Sequence, residues 1–145
     1  MKVIRSYLRL SRAERALLPR LAMLVAIIRV SLWVLPLSKV QQLLRGRTLQ
    51  GRFPPTLATW PVQRLVWAVE TISRRIPSAT CLTQSLALQF LLTRAGRSSA
   101  LRVGVARTGA RGFQSHAWVE CEGQTLIDRP EDVAVYTPLA SWESS

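Results

Sequence analysis

Cys81 and His116 are residue types that together support nucleophilic catalysis, and His116 is the only histidine in the sequence. Thr80 is a helix-capping residue type, and the apolar run that follows it up to Gly96 predicts a helix over 81–95. The unpaired amides and partial positive charge at a helix start favour a thiolate over a thiol. Cys81 is therefore a candidate nucleophile if His116 lies within reach. A packing role is the alternative, because free cysteines are commonly buried.

A carboxylate is placed beside His116 by the pairing of two predicted strands, 113–120 and 124–128. A three-residue loop with Gly123 in the left-handed conformation pairs His116 with Asp128 across the hairpin. A carboxylate in that place orients the imidazole, as the third member of a cysteine–histidine–aspartate triad. Taken singly, His116 is equally compatible with an ordinary strand position and Asp128 with a turn cap.

The hairpin has a second possible register. A two-residue turn at Glu122 and Gly123 shifts the pairing by one residue and moves Asp128 opposite Ala117, on the wrong face. We expect the longer loop, since the shorter one favours Asn or Asp before the glycine. Cys121 then falls in the turn, exposed and without a base, and we assign it no role.

The order of the predicted elements gives an α+β fold. Helices are expected from about Arg12 to Leu35, over 38–45, after Thr59 and over 81–95, and the period then changes to that of strands. Strands are expected over 101–107, 113–120 and 124–128, with a possible fourth over 133–136. The glycine- and proline-containing segment 45–55 is predicted to be a connector and a hinge. We expect one domain over 1–145, with a basic, apolar helical subregion at 1–52 and a catalytic core at 56–145.

The net charge of +12 is confined to the first half of the chain. Residues 1–78 contain fourteen Lys or Arg and two acidic residues, whereas residues 79–145 contain six of each. Such a field attracts a polyanion, an anionic lipid surface or an acidic peptide. Nucleic-acid binding is not expected, because the basic residues are dispersed and no zinc-finger, RNP or KH motif occurs.

The apolar segment 21–37 is the one stretch that resembles a membrane helix. It is interrupted by Arg29 and Pro36 and is short for a span, so a buried or partner-covered helix is favoured. A secretion signal is not expected, which favours the cytoplasm and reduced thiols. Two cysteines and one histidine also exclude a closed four-ligand zinc site, and no metal or cofactor is predicted.

Several short motifs together resemble a known family. They are Cys81-Leu82-Thr83-Gln84-Ser85-Leu86, Leu91-Leu92, Val103-Gly104-Val105, His116-Ala117-Trp118-Val119-Glu120, Gly123 and Asp128. In this combination, over roughly residues 77–130, the chain resembles the transglutaminase-like cysteine peptidases of bacterial lasso-peptide biosynthesis. The resemblance implies a papain-like or transglutaminase-like core, in which a helix that bears the cysteine packs on an antiparallel sheet.

The same resemblance implies a function and partners. Cys81 is then the nucleophile, His116 the general base and acid, and Asp128 the residue that orients it. The reaction is removal of the leader from a ribosomally made precursor, which frees the core peptide for an ATP-dependent cyclase. Because the chain begins directly with basic and apolar helices, it is similar to members that act with a separate leader-recognition protein, for which segment 21–37 is a candidate docking surface.

Two other functions remain open on sequence grounds. The same triad could transfer an acyl group to an amine instead of water. A non-enzymatic basic module that docks on a membrane or an acidic partner is the third hypothesis.

Overall fold

Helices occupy the first part of the chain, and most of the sheet follows them. The computed structural model describes residues 12–76, 80–109, 112–126 and 130–144. Its helices are α1 (Arg12–Val34), α2 (Leu37–Leu44), α3 (Arg47–Gln50), α4 (Val62–Ser73), α5 (Cys81–Arg94) and α6 (Pro130–Val133), with a 3₁₀ turn at Pro55–Thr59. Its strands are β1 (Ser99–Thr108), β2 (Gly112–Cys121), β3 (Gln124–Leu126) and β4 (Thr137–Ser144). They form one antiparallel sheet in the order β3-β2-β1-β4, which confirms the predicted α+β class.

The central helix is α5, with α1 and α4 on one side and the sheet on the other. Its residues from Ser85 to Leu92 are all buried, as expected of a helix with almost no polar face. The helix ends at Arg94, and Gly96 follows with a φ of 77°, which suits glycine. There the Arg97 amide donates to the Leu92 carbonyl at 2.8 Å, which closes the last turn.

The first helix supplies a large part of the core. Leu21, Leu24, Val25 and Ile28 follow the spacing of one helix face and are fully buried. Among the described residues, one stretch, Arg15–Val34, has the length and apolar composition of a membrane span, and 33% of it is buried inside the protein. One face of α1 therefore belongs to the core, and most of this stretch is not buried.

The carboxyl end of α1 is different, because its apolar side chains are exposed. Their exposed fractions are 57% for Val30, 69% for Trp33, 74% for Val34 and 41% for Leu35. The guanidinium of Arg29 lies 4.9 Å from the centre of a Trp33 ring. The surface formed by residues 30–35, named here the α1 tip, is an exposed apolar patch beside a cation.

The segment 45–55, predicted to be a connector and a hinge, is packed against α5. This segment contains α3, and Phe53 within it is only 1% exposed. The Phe53 ring packs edge-on against Phe90 at a centroid distance of 5.0 Å, and Arg94 Nε donates to the Phe53 carbonyl at 2.9 Å. The glycines and prolines shape a packed turn here, which the local composition does not distinguish from a flexible one.

The predicted hairpin register was also wrong. Val119 pairs with Leu126, and the turn has only two residues, Glu122 with φ 52° and Gly123 with φ 79°. Positive φ at both central positions defines the turn that fits a two-residue hairpin. A left-handed Glu122 costs roughly 1 kcal/mol, but this register places the apolar Leu126 on the buried face beside Val119.

The fourth strand begins later than expected. The prediction of 133–136 was wrong, since the chain forms α6 and a turn there and then enters β4 at Thr137. Pro130 at the helix start and the acidic Glu131 and Asp132 in its first turn favour this short helix.

Candidate active site

Cys81 is the first residue of α5, as its sequence context predicts. The Thr80 side chain accepts a hydrogen bond from the Thr83 amide at 3.2 Å, and the two threonine hydroxyls are 3.0 Å apart. Cys81 is a free, half-buried thiol. The first turn of α5 contains no acidic side chain, so the positive end of the helix is not neutralised by its own residues. The backbone amides at such a helix start can donate to a negatively charged oxygen of a bound substrate.

Two hydrogen bonds fix how α5 crosses the sheet. Ser85 Oγ donates to the carbonyl of Ala117 on β2 at 3.2 Å. One turn later, Gln89 Nε2 donates to the carbonyl of Trp142 on β4 at 3.0 Å. Because β1 lies between these strands, α5 runs obliquely from β2 toward β4.

The start of α5 therefore lies near β2, on the side away from β4. Cys81 is one turn before Ser85 on the same face of the helix, so it continues this path away from β4. The described pairing of β2 with β3 covers Val119 to Cys121, and the chain that follows β3, residues 127–129, lies outside the described residues. The fold thus brings the helix start to the strand segment that carries the histidine.

The His116 side chain projects from the face of β2 that is turned away from the helices. Ala117, Val119 and Cys121 join the core beneath α5, and strand alternation places His116 on the opposite face together with Trp118.

On that outer face, His116 belongs to a cluster of three rings, which we name the aromatic cluster. It consists of His116, Trp118 and Tyr136. The centroid of His116 is 6.2 Å from that of Trp118 and 5.2 Å from that of Tyr136. The Trp118 and Tyr136 centroids are also 6.2 Å apart. All three separations lie in the range of favourable aromatic pairs.

Polar contacts hold the indole of Trp118. Its Nε1 donates to Glu120 Oε1 at 3.2 Å, and Arg102 Nε donates to Glu120 Oε2 at 2.7 Å. Trp118 is 3% exposed, although it lies outside the main core. The Arg102–Glu120 pair therefore fixes the ring that packs beside the imidazole.

Gly104 makes room for this indole. It pairs with His116 across the β1–β2 ladder. A Cβ at this position would lie 2.9 Å from the Thr137 carbonyl oxygen and 3.0 Å from an indole carbon of Trp118. The absence of a side chain is thus required by packing on the outer face.

We predict that Gly104→Ala lowers the free energy of unfolding by about 1–3 kcal/mol, because backbone and indole must both shift. Urea denaturation of the full chain measures this. Adding Trp118→Phe, which shortens the ring, is expected to recover part of the loss and supplies the matched control. Equal stability of Gly104→Ala and the wild type would contradict the close packing.

Asp128 lies outside the described residues. The described β2–β3 register differs by one residue from the register that pairs Asp128 with His116. The predicted hairpin register therefore no longer supports that pair, and the role of Asp128 depends on the motif resemblance.

Cys121 is buried, 4% exposed, and not in the turn as predicted. The shorter turn makes it the last residue of β2, with its side chain toward the core. Burial raises the pKa of the Cys121 thiol, and the negative charge of Glu122 raises it further, while Arg97 acts in the opposite direction. Cys121 therefore remains a protonated, shielded thiol at neutral pH.

Within the described ranges, no three His, Cys, Asp or Glu side chains gather in a way that could hold a metal ion. The roles of three residues around His116 were not predicted. Gly104 leaves space for the indole of Trp118, Arg102 holds Glu120, and Tyr136 packs on the imidazole. Strand alternation places Arg102 and Gly104 on the outer face, but the ring contact of Tyr136 follows a turn that has no local signal.

Comparison with known proteins gives one family. The model of the transglutaminase-like superfamily matches residues 21–141, which run from within α1 to within β4. No curated protein and no solved structure matches the chain at a significant level.

Proposed function

Since the chain belongs to the transglutaminase-like superfamily, we propose that it is a cysteine peptidase that removes the leader from a ribosomally synthesised lasso-peptide precursor. The observation that carries this proposal is the docking of the first turns of α5 on β2 through Ser85 and Ala117, beside His116. The motifs around Cys81 and His116 support the choice of the lasso-peptide family within the superfamily.

In the proposed mechanism, the Cys81 thiolate attacks the scissile carbonyl, and a carbon–sulfur bond forms. The carbonyl oxygen becomes an oxyanion, to which the Cys81 amide at the helix start donates. Protonated His116 gives its proton to the leaving amine as the carbon–nitrogen bond breaks. Water, deprotonated by His116, then adds to the carbonyl of the acyl-enzyme, the carbon–sulfur bond breaks, and the leader leaves as a carboxylate while the Cys81 thiolate and protonated His116 are restored. Asp128 is proposed to orient the imidazole.

The proposed partners are the precursor, a separate leader-recognition protein and the cyclase that accepts the freed core peptide. The α1 tip is the docking surface that we assign to the recognition protein. Within the predicted surface 21–37, Leu21, Leu24, Val25 and Ile28 are buried in the core, whereas Val30, Trp33, Val34 and Leu35 are exposed and supply the apolar side chains of this docking surface. The proposal places the reaction in the cytoplasm, where the precursor is made.

The test is a cleavage assay with the full chain, the precursor and the recognition protein in ¹⁸O-labelled water. Hydrolysis is expected to give a leader that carries ¹⁸O in its new carboxylate, detected by mass spectrometry. The same assay with an added primary amine checks for acyl transfer. A leader amide in place of the acid would identify an acyl transferase, and an intact precursor with all partners present would overturn the proposal.

A further inference from the structure

Tyr136 approaches the candidate site from outside the motifs. It lies between α6 and β4, and its amide donates to the Val133 carbonyl at 3.0 Å. The next residue, Thr137, pairs with Val105 on β1. The backbone of Tyr136 is therefore held on both sides, by a turn and by the sheet.

The Tyr136 ring contacts both other members of the aromatic cluster. Its interplanar angle is 31° with His116 and 43° with Trp118, so it lies tilted over the pair. Trp118 is almost completely covered, although the helices lie on the other side of the sheet. Tyr136 contributes this cover and packs on the imidazole at the same time.

The position opposite His116 on β1 is Gly104, which has no side chain, so the described ring contacts of the imidazole come from Trp118 and Tyr136. The χ2 torsion of histidine has a broad energy profile, so the ring turns readily unless its neighbours restrict it. A misplaced catalytic group loses much of its effect, since rate depends steeply on the alignment of reacting atoms.

We propose that Tyr136 is a positioning residue for His116. Its ring packs on the imidazole from beside Trp118 and limits the directions in which the imidazole can turn. The catalytic consequence rests on the proposed function, but the packing itself does not. Because the ring carries the effect, Tyr136→Phe is expected to behave as the wild type and Tyr136→Leu is not.

The first measurement uses the single histidine of the chain. In a protein without a histidine tag, the imidazole carbon-bound protons of His116 give one set of NMR signals. Tyr136→Leu removes an aromatic ring beside them and is expected to move these signals over the same pH series, whereas Tyr136→Phe leaves them near their wild-type positions. Phe113→Leu is the matched control, because Phe113 is an exposed aromatic residue on the same strand.

The second measurement is the alkylation rate of Cys81 by iodoacetamide at mildly acidic pH, followed by peptide mass spectrometry. Tyr136→Leu is expected to lower this rate about tenfold, while Tyr136→Phe and Phe113→Leu retain it. In the cleavage assay, the same variant is expected to lower kcat by a similar factor and to leave KM nearly unchanged, since Tyr136 acts on the imidazole and not on substrate binding.

Failure of this inference is distinguishable from failure of the proposed function. Unmoved His116 signals and unchanged alkylation in Tyr136→Leu would overturn the positioning role, whatever the cleavage assay shows. An equal loss in Tyr136→Phe would also overturn it, because the hydroxyl would then carry the effect. Shifted signals and slowed alkylation in a protein that cleaves no precursor would support the positioning of His116 and reject the peptidase.

Discussion

Replacing Cys81 with alanine is expected to abolish leader cleavage and to leave the protein folded. The variant removes the sulfur that is proposed to form the covalent intermediate, and loss of a catalytic nucleophile lowers kcat by on the order of 10³-fold or more. The fold should tolerate the change, because Cys81 is half-buried and the helix cap is made by Thr80 and Thr83. Mass spectrometry of the precursor measures cleavage, and thermal unfolding followed by circular dichroism measures the fold.

Cys121→Ala is the matched control for this experiment. It removes the other thiol of the chain from a buried position, so we expect a small loss of stability, about 1–2 kcal/mol, with cleavage retained. In the wild type, iodoacetamide should modify Cys81 and stop cleavage before it reaches Cys121, whose raised pKa and burial keep it unreactive. Cleavage by a well-folded Cys81→Ala variant would remove Cys81 from the mechanism.

The second large effect is expected for His116→Ala. Without a base to take and return a proton, both the acylation and the hydrolysis steps fail, and cleavage should fall by on the order of 10³-fold or more. The double variant Cys81→Ala, His116→Ala should be no less active than either single variant, because the two residues act as one unit. Rates of precursor cleavage in the three variants measure this.

Gln114→Ala is the control for His116, since Gln114 is exposed and alternates onto the same face of β2. It is expected to retain cleavage. The alkylation rate of Cys81 at mildly acidic pH supplies a test of the pair that needs no substrate. This rate should fall in His116→Ala and remain in Gln114→Ala; an equal rate in both variants would show that thiol and imidazole do not interact.

The elements that carry the site were predictable because their signals are local. Thr80 before the apolar run and Gly96 after it set both ends of α5, and the cap and the final turn form as expected. The alternation around Val103 and around His116 located β1 and β2, since one face of each strand is buried. Helix, strand and their order follow from such patterns.

The hairpin register was not predictable from its turn. The preference against Glu122 in a left-handed conformation pointed to a longer loop, but burial of Leu126 beside Val119 contributes more than that preference costs. The interaction that decides the register is the contact of Leu126 and Val119 with a core formed by helices that are distant in sequence. The consequence is large, because a shift of one residue reverses which side chains share a face.

Tyr136 and the segment around Phe53 were missed for the same physical reason. Each lies in a stretch whose local composition predicts a strand end or a connector, and each is fixed by a ring contact with a residue far away in sequence. Such contacts depend on the completed packing, so neither periodicity nor turn chemistry reveals them.

The contacts between Phe53 and α5 limit how far the chain can be shortened. Phe90 and Arg94, which make these contacts with Phe53, lie in the last turns of α5, the helix that begins at Cys81. A fragment that begins near Cys81 would lack Phe53 and α1. The side of α5 that packs against them would then be exposed to water. A shortened chain that folds must therefore retain the N-terminal half, although Cys81 and His116 both lie in the C-terminal half.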